Sequence, residues 1–452
     1  MKSKFAILLT FSALLCGGLS GHALTGSWRG ELSLGAAKLP LVFNFKEDAA
    51  GKTTATMDSP QQNAKGIPVE VVYCSADSVN VACRMIGASY AGKITGGKIS
   101  GTFVQQGYNF PLALEPEVSL QERRPQTPVA PFPYETKDTT FRSSDDTELA
   151  GTLTIPEKSF AKKLPMVVMV TGSGPQNRDE EVFEHRPFAV IADYLARNGI
   201  ASFRYDDRGV AKSKGNYQTA TIDTFREDAV AALRFVRSLA GFGKVGILGH
   251  SEGGSLAVML APDEKPDFIV SLAGATVPLK ETLIAQNEHL LDRQGVTGKE
   301  KEQTLGLVRG IYEEIERQYE AGEFKPLDIE AICKRHSLDV PAAVKESIGS
   351  GMARRTRYFD SQVCLDPTPY LKKVKCPVLA INGTKDTQVD AEKNLKAFSD
   401  NIRNAEIHRM EGLNHLLQHA STGESSEYGE LTETISPDVL RLIADFIRSH
   451  TR

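Results

Sequence analysis

The stretch Lys244-Val245-Gly246-Ile247-Leu248-Gly249-His250-Ser251-Glu252-Gly253-Gly254-Ser255-Leu256-Ala257 decides the fold. It reads as a buried strand, a Gly-x-Ser-x-Gly turn, and a helix with small residues on its near side. A serine placed there projects from a cramped strand-to-helix turn, and the flanking glycines let backbone approach where a side chain would clash. The helix N-terminus behind it offers free N–H groups and partial positive charge to a developing oxyanion. Five-residue matches of this kind are common by chance. The strand before and the helix after make this one a nucleophile elbow, with Ser251 as nucleophile.

A hydroxyl is a poor nucleophile at neutral pH, so the reading requires a base and an acid to orient it. In this type of sheet both follow the serine, acid first and histidine second. Pro377-Val378-Leu379-Ala380-Ile381-Asn382-Gly383-Thr384-Lys385-Asp386 is a strand leading to an acid three residues past a turn glycine, which nominates Asp386. Asp390 stands ahead of Ala391 and Glu392 and reads instead as the N-cap of the next helix. The last strand, Glu406 to Met410, runs into Glu411-Gly412-Leu413-Asn414-His415, so His415 lies on a loop at the carboxyl edge of the sheet. His408 lies within the strand and is expected in the core or on the surface, and His419 is a lesser candidate for the same pocket. For the oxyanion, the strand and glycine-rich turn Val167-Val168-Met169-Val170-Thr171-Gly172-Ser173-Gly174-Pro175 offers the Ser173 N–H, paired with the Glu252 N–H. Neither GxGxxG nor a Walker pattern is present there, which argues against a nucleotide site.

Outward from these motifs, apolar strand-like runs (Met166 to Val170, Ile200 to Tyr205, Val245 to Leu248, Phe268 to Leu272, Val378 to Ile381) alternate with helical patterns. That alternation implies an α/β protein with a mostly parallel sheet covered on both faces. The helix Ile222 to Leu239 places Phe225, Ala229, Ala232, Leu233 and Val236 on one face. An insertion over about 278–366, rich in Glu, Lys, Leu and Ala at helical spacing, reads as a helical lid.

The first part of the chain has a different grain. Residues 24–118 carry short apolar or alternating runs (Leu41 to Phe45, Val69 to Tyr73, Val79 to Cys83, Ile99 to Val104) separated by turn signals, a small antiparallel β-domain. Gly26-Ser27-Trp28-Arg29-Gly30 and Gly97-Lys98-Ile99-Ser100-Gly101-Thr102-Phe103 resemble the lipocalin-like modules found ahead of some bacterial hydrolases, and Trp28 reads as a core plug. Residues 119–133 hold a proline-rich run, Arg123 to Pro133, expected as an extended linker with few core contacts. The α/β-hydrolase domain is then 134–452. Residues 1–23 read as a signal peptide, with Lys2 and Lys4 ahead of the apolar Phe5 to Leu15 and a small-residue cleavage site at Gly21-His22-Ala23. Leu15 before Cys16 is a poor lipobox, so an exported, periplasmic or secreted protein is expected rather than a lipoprotein.

Of 452 residues, 41% are hydrophobic and 24% charged, ordinary for globular protein. The formal charge is −4, without long runs of either sign, and nothing points to nucleic acid. No later segment approaches the roughly 20 apolar residues of a transmembrane helix. Five cysteines remain beyond Cys16, too few and too scattered for a disulfide framework, although Cys74 and Cys83 could face each other across a hairpin. No cluster resembles a metal site, so neither metal nor other cofactor is expected.

Five motifs in order give the resemblance: Thr171-Gly172-Ser173-Gly174-Pro175-Gln176-Asn177-Arg178-Asp179, Arg204-Tyr205-Asp206-Asp207-Arg208-Gly209-Val210-Ala211-Lys212-Ser213, Gly249-His250-Ser251-Glu252-Gly253-Gly254, Gly383-Thr384-Lys385-Asp386-Thr387-Gln388-Val389 and Leu413-Asn414-His415-Leu416-Leu417-Gln418. From Pro133 to Arg452 the chain resembles the EstD-type bacterial carboxylesterases, α/β-hydrolases related to the prolyl oligopeptidase and dienelactone hydrolase groups. The resemblance implies hydrolysis of a small-molecule ester through an acyl-enzyme, with the family's triad on Ser251, Asp386 and His415. Thr171 departs from it, since many relatives carry histidine there. Arg204 to Arg208 reads as a salt-bridged structural turn. The alternatives are a peptidase for short peptides, with Glu180, Glu181 or Glu184 holding the substrate amine unless they form a solvated charged face, and a binding protein built on a hydrolase scaffold. Acyl preference and oligomeric state are not written in the sequence.

Overall fold

Leu164–Val170 (LPMVVMV) is apolar on both of its faces, and in the computed structural model it lies near the middle of a sheet covered on both sides. The structure describes residues 24–34, 37–48, 51–62, 64–118, 120–157 and 163–451. The expected signal segment, with Cys16, lies outside them. The chain divides into two units between Val118 and Ser119.

The first unit is a closed barrel of eight strands in chain order: β1 (Gly26–Leu34), β2 (Ala37–Glu47), β3 (Thr53–Ser59), β4 (Ala64–Cys74), β5 (Ser78–Cys83), β6 (Ala88–Thr95), β7 (Lys98–Gln105) and β8 (Tyr108–Pro116). Every neighbour is antiparallel, and β1 pairs with β8 to close the ring. Closure removes the sheet edges that would otherwise remain open to pairing. Its interior is packed with Phe43, Phe45, Met57, Tyr90, Ile99 and Phe103, and the Tyr90 hydroxyl lies within hydrogen-bond distance of the Ile99 and Leu112 carbonyls. Trp28 is only partly buried against this core, and its indole N–H donates to the Thr25 carbonyl. The hairpin expected to juxtapose Cys74 and Cys83 exists, but its register sets Cys74 against Val79, and both thiols are free. Nine positions of separation around a three-residue turn leave Cys83 well along β5 from its supposed partner.

The second unit has an eight-stranded sheet built from β9 (Tyr134–Arg142), β10 (Glu148–Pro156), β11 (Leu164–Val170), β12 (Ala201–Tyr205), β13 (Phe242–His250), β14 (Ile269–Leu272), β15 (Val378–Gly383) and β16 (Glu406–Met410). Its order is β16-β15-β14-β13-β11-β12-β10-β9. β12 through β16 and β11 run parallel, while β10 and β9 join one edge antiparallel. This is the α/β-hydrolase fold.

Twelve helices accompany these strands among the described residues: α1 (Leu120–Arg123), α2 (Pro187–Arg197), α3 (Ile222–Ser238), α4 (Glu252–Glu264), α5 (Leu279–Arg293), α6 (Gly298–Glu320), α7 (Ile329–Arg335), α8 (Ala342–Met352), α9 (Arg357–Val363), α10 (Thr368–Leu371), α11 (Ala391–Asn401) and α12 (Pro437–Thr451). None is long and apolar enough to cross a membrane. Met166, Val168 and Val170 face a core shared with α3, α4 and α11, whereas Val167 and Met169 face one shared with α2 and α12. The period-two alternation of a strand buried on both faces explains why β11 has no polar side. Helix α3 begins at a Thr221 capping box and buries the face expected from its spacing. Asp390 caps α11 by accepting from the Lys393 N–H.

The insertion between β14 and β15 carries α5 to α10 and has its own core of Leu307, Val308, Ile311, Ile315, Ile332 and Val363. The proline-rich run departs from the expectation of few contacts. The Arg124 guanidinium is buried and donates to the carbonyls of Phe183, Gly429 and Leu431, and Gln126 bonds Ile435 through both its donor and its acceptor. Composition showed the prolines but not that two polar side chains would satisfy loop carbonyls some three hundred residues downstream.

Candidate active site

β11 connects to β12 on one side while β13 lies on its other side, so strand order reverses at β11. Loops leaving the carboxyl ends of β11 and β13 diverge at that point and open a crevice, the usual ligand position in such sheets. The turn after β11 carries Ser173, and the turn after β13 carries Ser251.

Ser251 has φ 50° and ψ −115°, a conformation that L-residues rarely adopt. The backbone around it is closely packed. A Cβ on Gly253 would lie 2.1 Å from the Val170 carbonyl oxygen and one on Gly249 2.1 Å from that of Gly253. Both glycines of the motif are therefore demanded by close approach. Gly253→Ala is expected to cost about 3 kcal/mol or more, since backbone cannot yield as a side chain does; an unchanged thermal midpoint would contradict this packing.

The acid and the histidine meet directly. His415 Nδ1 lies 2.8 Å from Asp386 Oδ2, with both side chains buried. The other Asp386 oxygen accepts from the Gln388 and Val389 N–H groups, which fixes the carboxylate. Their loops are braced together: Lys385 N donates to the Leu413 carbonyl, and a Cβ on Gly383 would lie 2.0 Å from that same oxygen. Asn414 and Gln418, around His415, bond each other through side chains and backbone and shape its loop. His250, the chain neighbour of Ser251, has its ring centroid 4.9 Å from that of His415. His408 is on β16 and pairs with Glu406, and His419 is exposed and pairs with Glu433.

Three amides of the turn after β11 are claimed by side chains. Gly172 N donates to Glu180 Oε1 at 2.6 Å, Gly174 N to the Tyr358 hydroxyl at 3.2 Å and Gln176 N to Asp207 Oδ2 at 3.0 Å. Among the described residues the Ser173 N–H has no such partner. Thr171 donates its hydroxyl to the other Asp207 oxygen and helps order the turn. Glu252 N–H belongs to the first turn of α4, which by helix geometry has no intrahelical acceptor. A Cβ on Gly172 would sit 3.3 Å from Ser251 Cβ, so this turn lies against the serine.

The glutamates after this turn were expected on a solvated charged face or free to hold an amine, and they do neither. Glu180 is buried at φ 53°, with Oε1 shared by Gly172 N and by His250 Nδ1 at 2.9 Å. Glu181 pairs with Arg186, and Glu184 with Arg123. Polarity alone does not reveal that a loop bends its acids inward. The far nitrogen of His250 lies 3.0 Å from the His415 carbonyl. A carboxylate and a carbonyl both accept, an arrangement that favours the imidazolium form of His250, with both ring nitrogens donating. Burial alone lowers its pKa, but the charge and hydrogen bond of Glu180, with the His415 carbonyl and Asp386, raise it to about 9. Sequence reading missed His250 and Tyr358. The first adjoins Ser251 and was available to inspection, whereas nothing near Tyr358 marks it.

Arg204 to Arg208 is structural: Arg208 pairs with Asp228 and Asp145, Arg204 with Asp179, and Asp206 with Arg178.

The chain matches the family Hydrolase_4, serine aminopeptidase S33, over residues 184–421, more than half its length and including Ser251, Asp386 and His415. It belongs to this family. Among curated relatives, this S33-family chain is 30% identical to Esterase EstD of Thermotoga maritima over 71% of its own length and 66% of that protein's. The match thus spans just under two thirds of that relative. A proline iminopeptidase of Lactobacillus delbrueckii subsp. bulgaricus is 25% identical over 55% of this chain and 83% of its own. Among solved structures, an esterase of Pyrococcus furiosus is 15% identical with a TM-score of 0.44, covering 71% of this chain and 92% of that one.

Proposed function

We propose that this chain is a serine carboxylesterase acting on small-molecule esters. Ser251 attacks the acyl carbonyl as His415 Nε2 takes its proton, and His415 then returns that proton to the leaving alcohol. Asp386, accepting from Nδ1, keeps the lone pair on Nε2 and offsets the imidazolium that forms. The Ser173 and Glu252 N–H groups hold the oxyanion. Water attacks the acyl-Ser251 ester by the same route and releases the acid.

Ester rather than peptide cleavage rests on one observation: Glu180, Glu181 and Glu184 are each committed to a cationic side chain. An aminopeptidase needs an acid available to the substrate ammonium, and none of these is. The relationship to an esterase of Thermotoga maritima supports the same reading. The character of residues 1–23 favours a site of action outside the cytoplasm.

The test is hydrolysis of a p-nitrophenyl ester series beside aminoacyl and dipeptidyl p-nitroanilides, with Ser251→Ala as control. Serine-dependent turnover confined to the esters is expected. Comparable cleavage of the anilides would replace the esterase reading with a peptidase.

A further inference from the structure

We propose that Tyr358, on α9 of the inserted helices, is a positioning residue that ties together the two backbone donors of the oxyanion site. The proposal rests on the esterase reading above and deepens it. Its hydroxyl lies 3.2 Å from Gly174 N, adjacent to Ser173, and 2.9 Å from each carboxylate oxygen of Glu252. Gln362, one turn further along α9, donates to the hydroxyl at 3.0 Å and to Glu252 Oε2 at 2.7 Å.

A phenol has one proton and two lone pairs. Here the Gly174 N–H and the Gln362 amide occupy the lone pairs, and the proton goes to the carboxylate. The hydroxyl is saturated, so its direction is set and it can act as a pin between two loops. One loop ends β11 and presents Ser173 N–H; the other begins α4 and presents Glu252 N–H. The ring is buried against Phe225 and Tyr217, with centroids at 5.4 Å in each case, so the pin is rigid. Burial and the adjoining Glu252 carboxylate push the phenol pKa upward and keep the proton in place. Burial raises Glu252 to about 7 against the lowering effect of Gln362 and Tyr358, so without these donors the carboxylate would be poorly held.

A donor displaced by a fraction of an ångström loses more in the transition state than in the ground state, because charge reaches the oxygen only there. Tyr358→Phe removes one oxygen and leaves the ring packing. It is expected to lower kcat at least about tenfold with KM within about twofold, and to weaken a trifluoromethyl ketone inhibitor, whose adduct with Ser251 carries the oxyanion, by the same factor as kcat/KM. A kcat within twofold of wild type, or an unchanged inhibitor constant beside a lowered kcat, overturns the proposal. Should the Phe variant fail to fold, Gln362→Met is the second test, with a smaller loss of the same pattern expected; no loss overturns the proposal. Failure of the underlying reading is separate, since it appears as wild-type cleavage of the anilides comparable to that of the esters, or as ester turnover that survives in Ser251→Ala.

Discussion

Ser251→Ala is expected to lower kcat for esters by about 10⁴–10⁶-fold while the thermal midpoint moves by no more than about 2 °C. The rate loss is large because the acyl-enzyme route is removed outright, and only the oxyanion site and substrate binding remain to assist water. Stability is spared because the Ser251 hydroxyl makes no capping bond to α4, and the close backbone packing at Gly249 and Gly253 does not involve it. His415→Ala is expected to cost nearly as much, and the double variant no more than either single one, since the groups act as a unit. Steady-state kinetics on one p-nitrophenyl ester decides the matter. Additive losses would mean that the two residues act independently, and more than about 1% of activity in the serine variant that another nucleophile carries the reaction.

His250→Gln should give the largest loss of stability, and the loss should depend on pH. The imidazolium is clamped between the Glu180 carboxylate and the His415 carbonyl, with the Asp386 charge nearby. Removing the cation leaves Glu180 buried without its charge partner, a change that costs about 3–5 kcal/mol in comparable sites. The folded pKa, about 9, lies above the ordinary histidine value of 6.5. The native state therefore binds the proton more tightly than the unfolded chain does. The contribution is fully present below pH 6.5 and fades as pH rises through about 9. Urea unfolding of wild type and variant at pH 6 and pH 9.5 should show a wide gap closing at the higher value. A gap constant across that range would mean that His250 is neutral in the fold. Activity should fall as well, because the same bonds hold Gly172 in the oxyanion turn and the loop of His415.

Much of this site is legible in one dimension because Ser251, Asp386 and His415 each follow closely on a strand, where local pattern is strong. The run Val245 to Leu248 can only be a buried strand, and the glycines around Ser251 can only serve a turn without room for Cβ. Asp386 and His415 follow strands of the same kind. Legibility ended where polar side chains act at long range. Glu180, read as an exposed acid, is buried because Gly172 N and His250 reach it, and Arg124, read as part of a spacer, is held by carbonyls from two distant loops.

The barrel shows the same division. Short alternating runs and turn residues specified antiparallel strands, but register set Cys74 against Val79 and kept two cysteines apart. A period-two pattern says which face a residue takes, not which residue of the next strand it opposes.

By itself the sequence determined the class of the fold and the strands and turns that carry Ser251, Asp386 and His415, because strand and helix periods and glycine requirements are local. Only the tertiary structure decided which side chains claim the Gly172, Gly174 and Gln176 amides, that His250 lies between a carboxylate and a carbonyl, and that Tyr358 reaches Glu252 from over a hundred residues away. Those outcomes depend on which buried donors and acceptors come within about 3 Å of one another, and hydrogen bonding in a low-dielectric interior is settled by three-dimensional juxtaposition rather than by spacing along the chain.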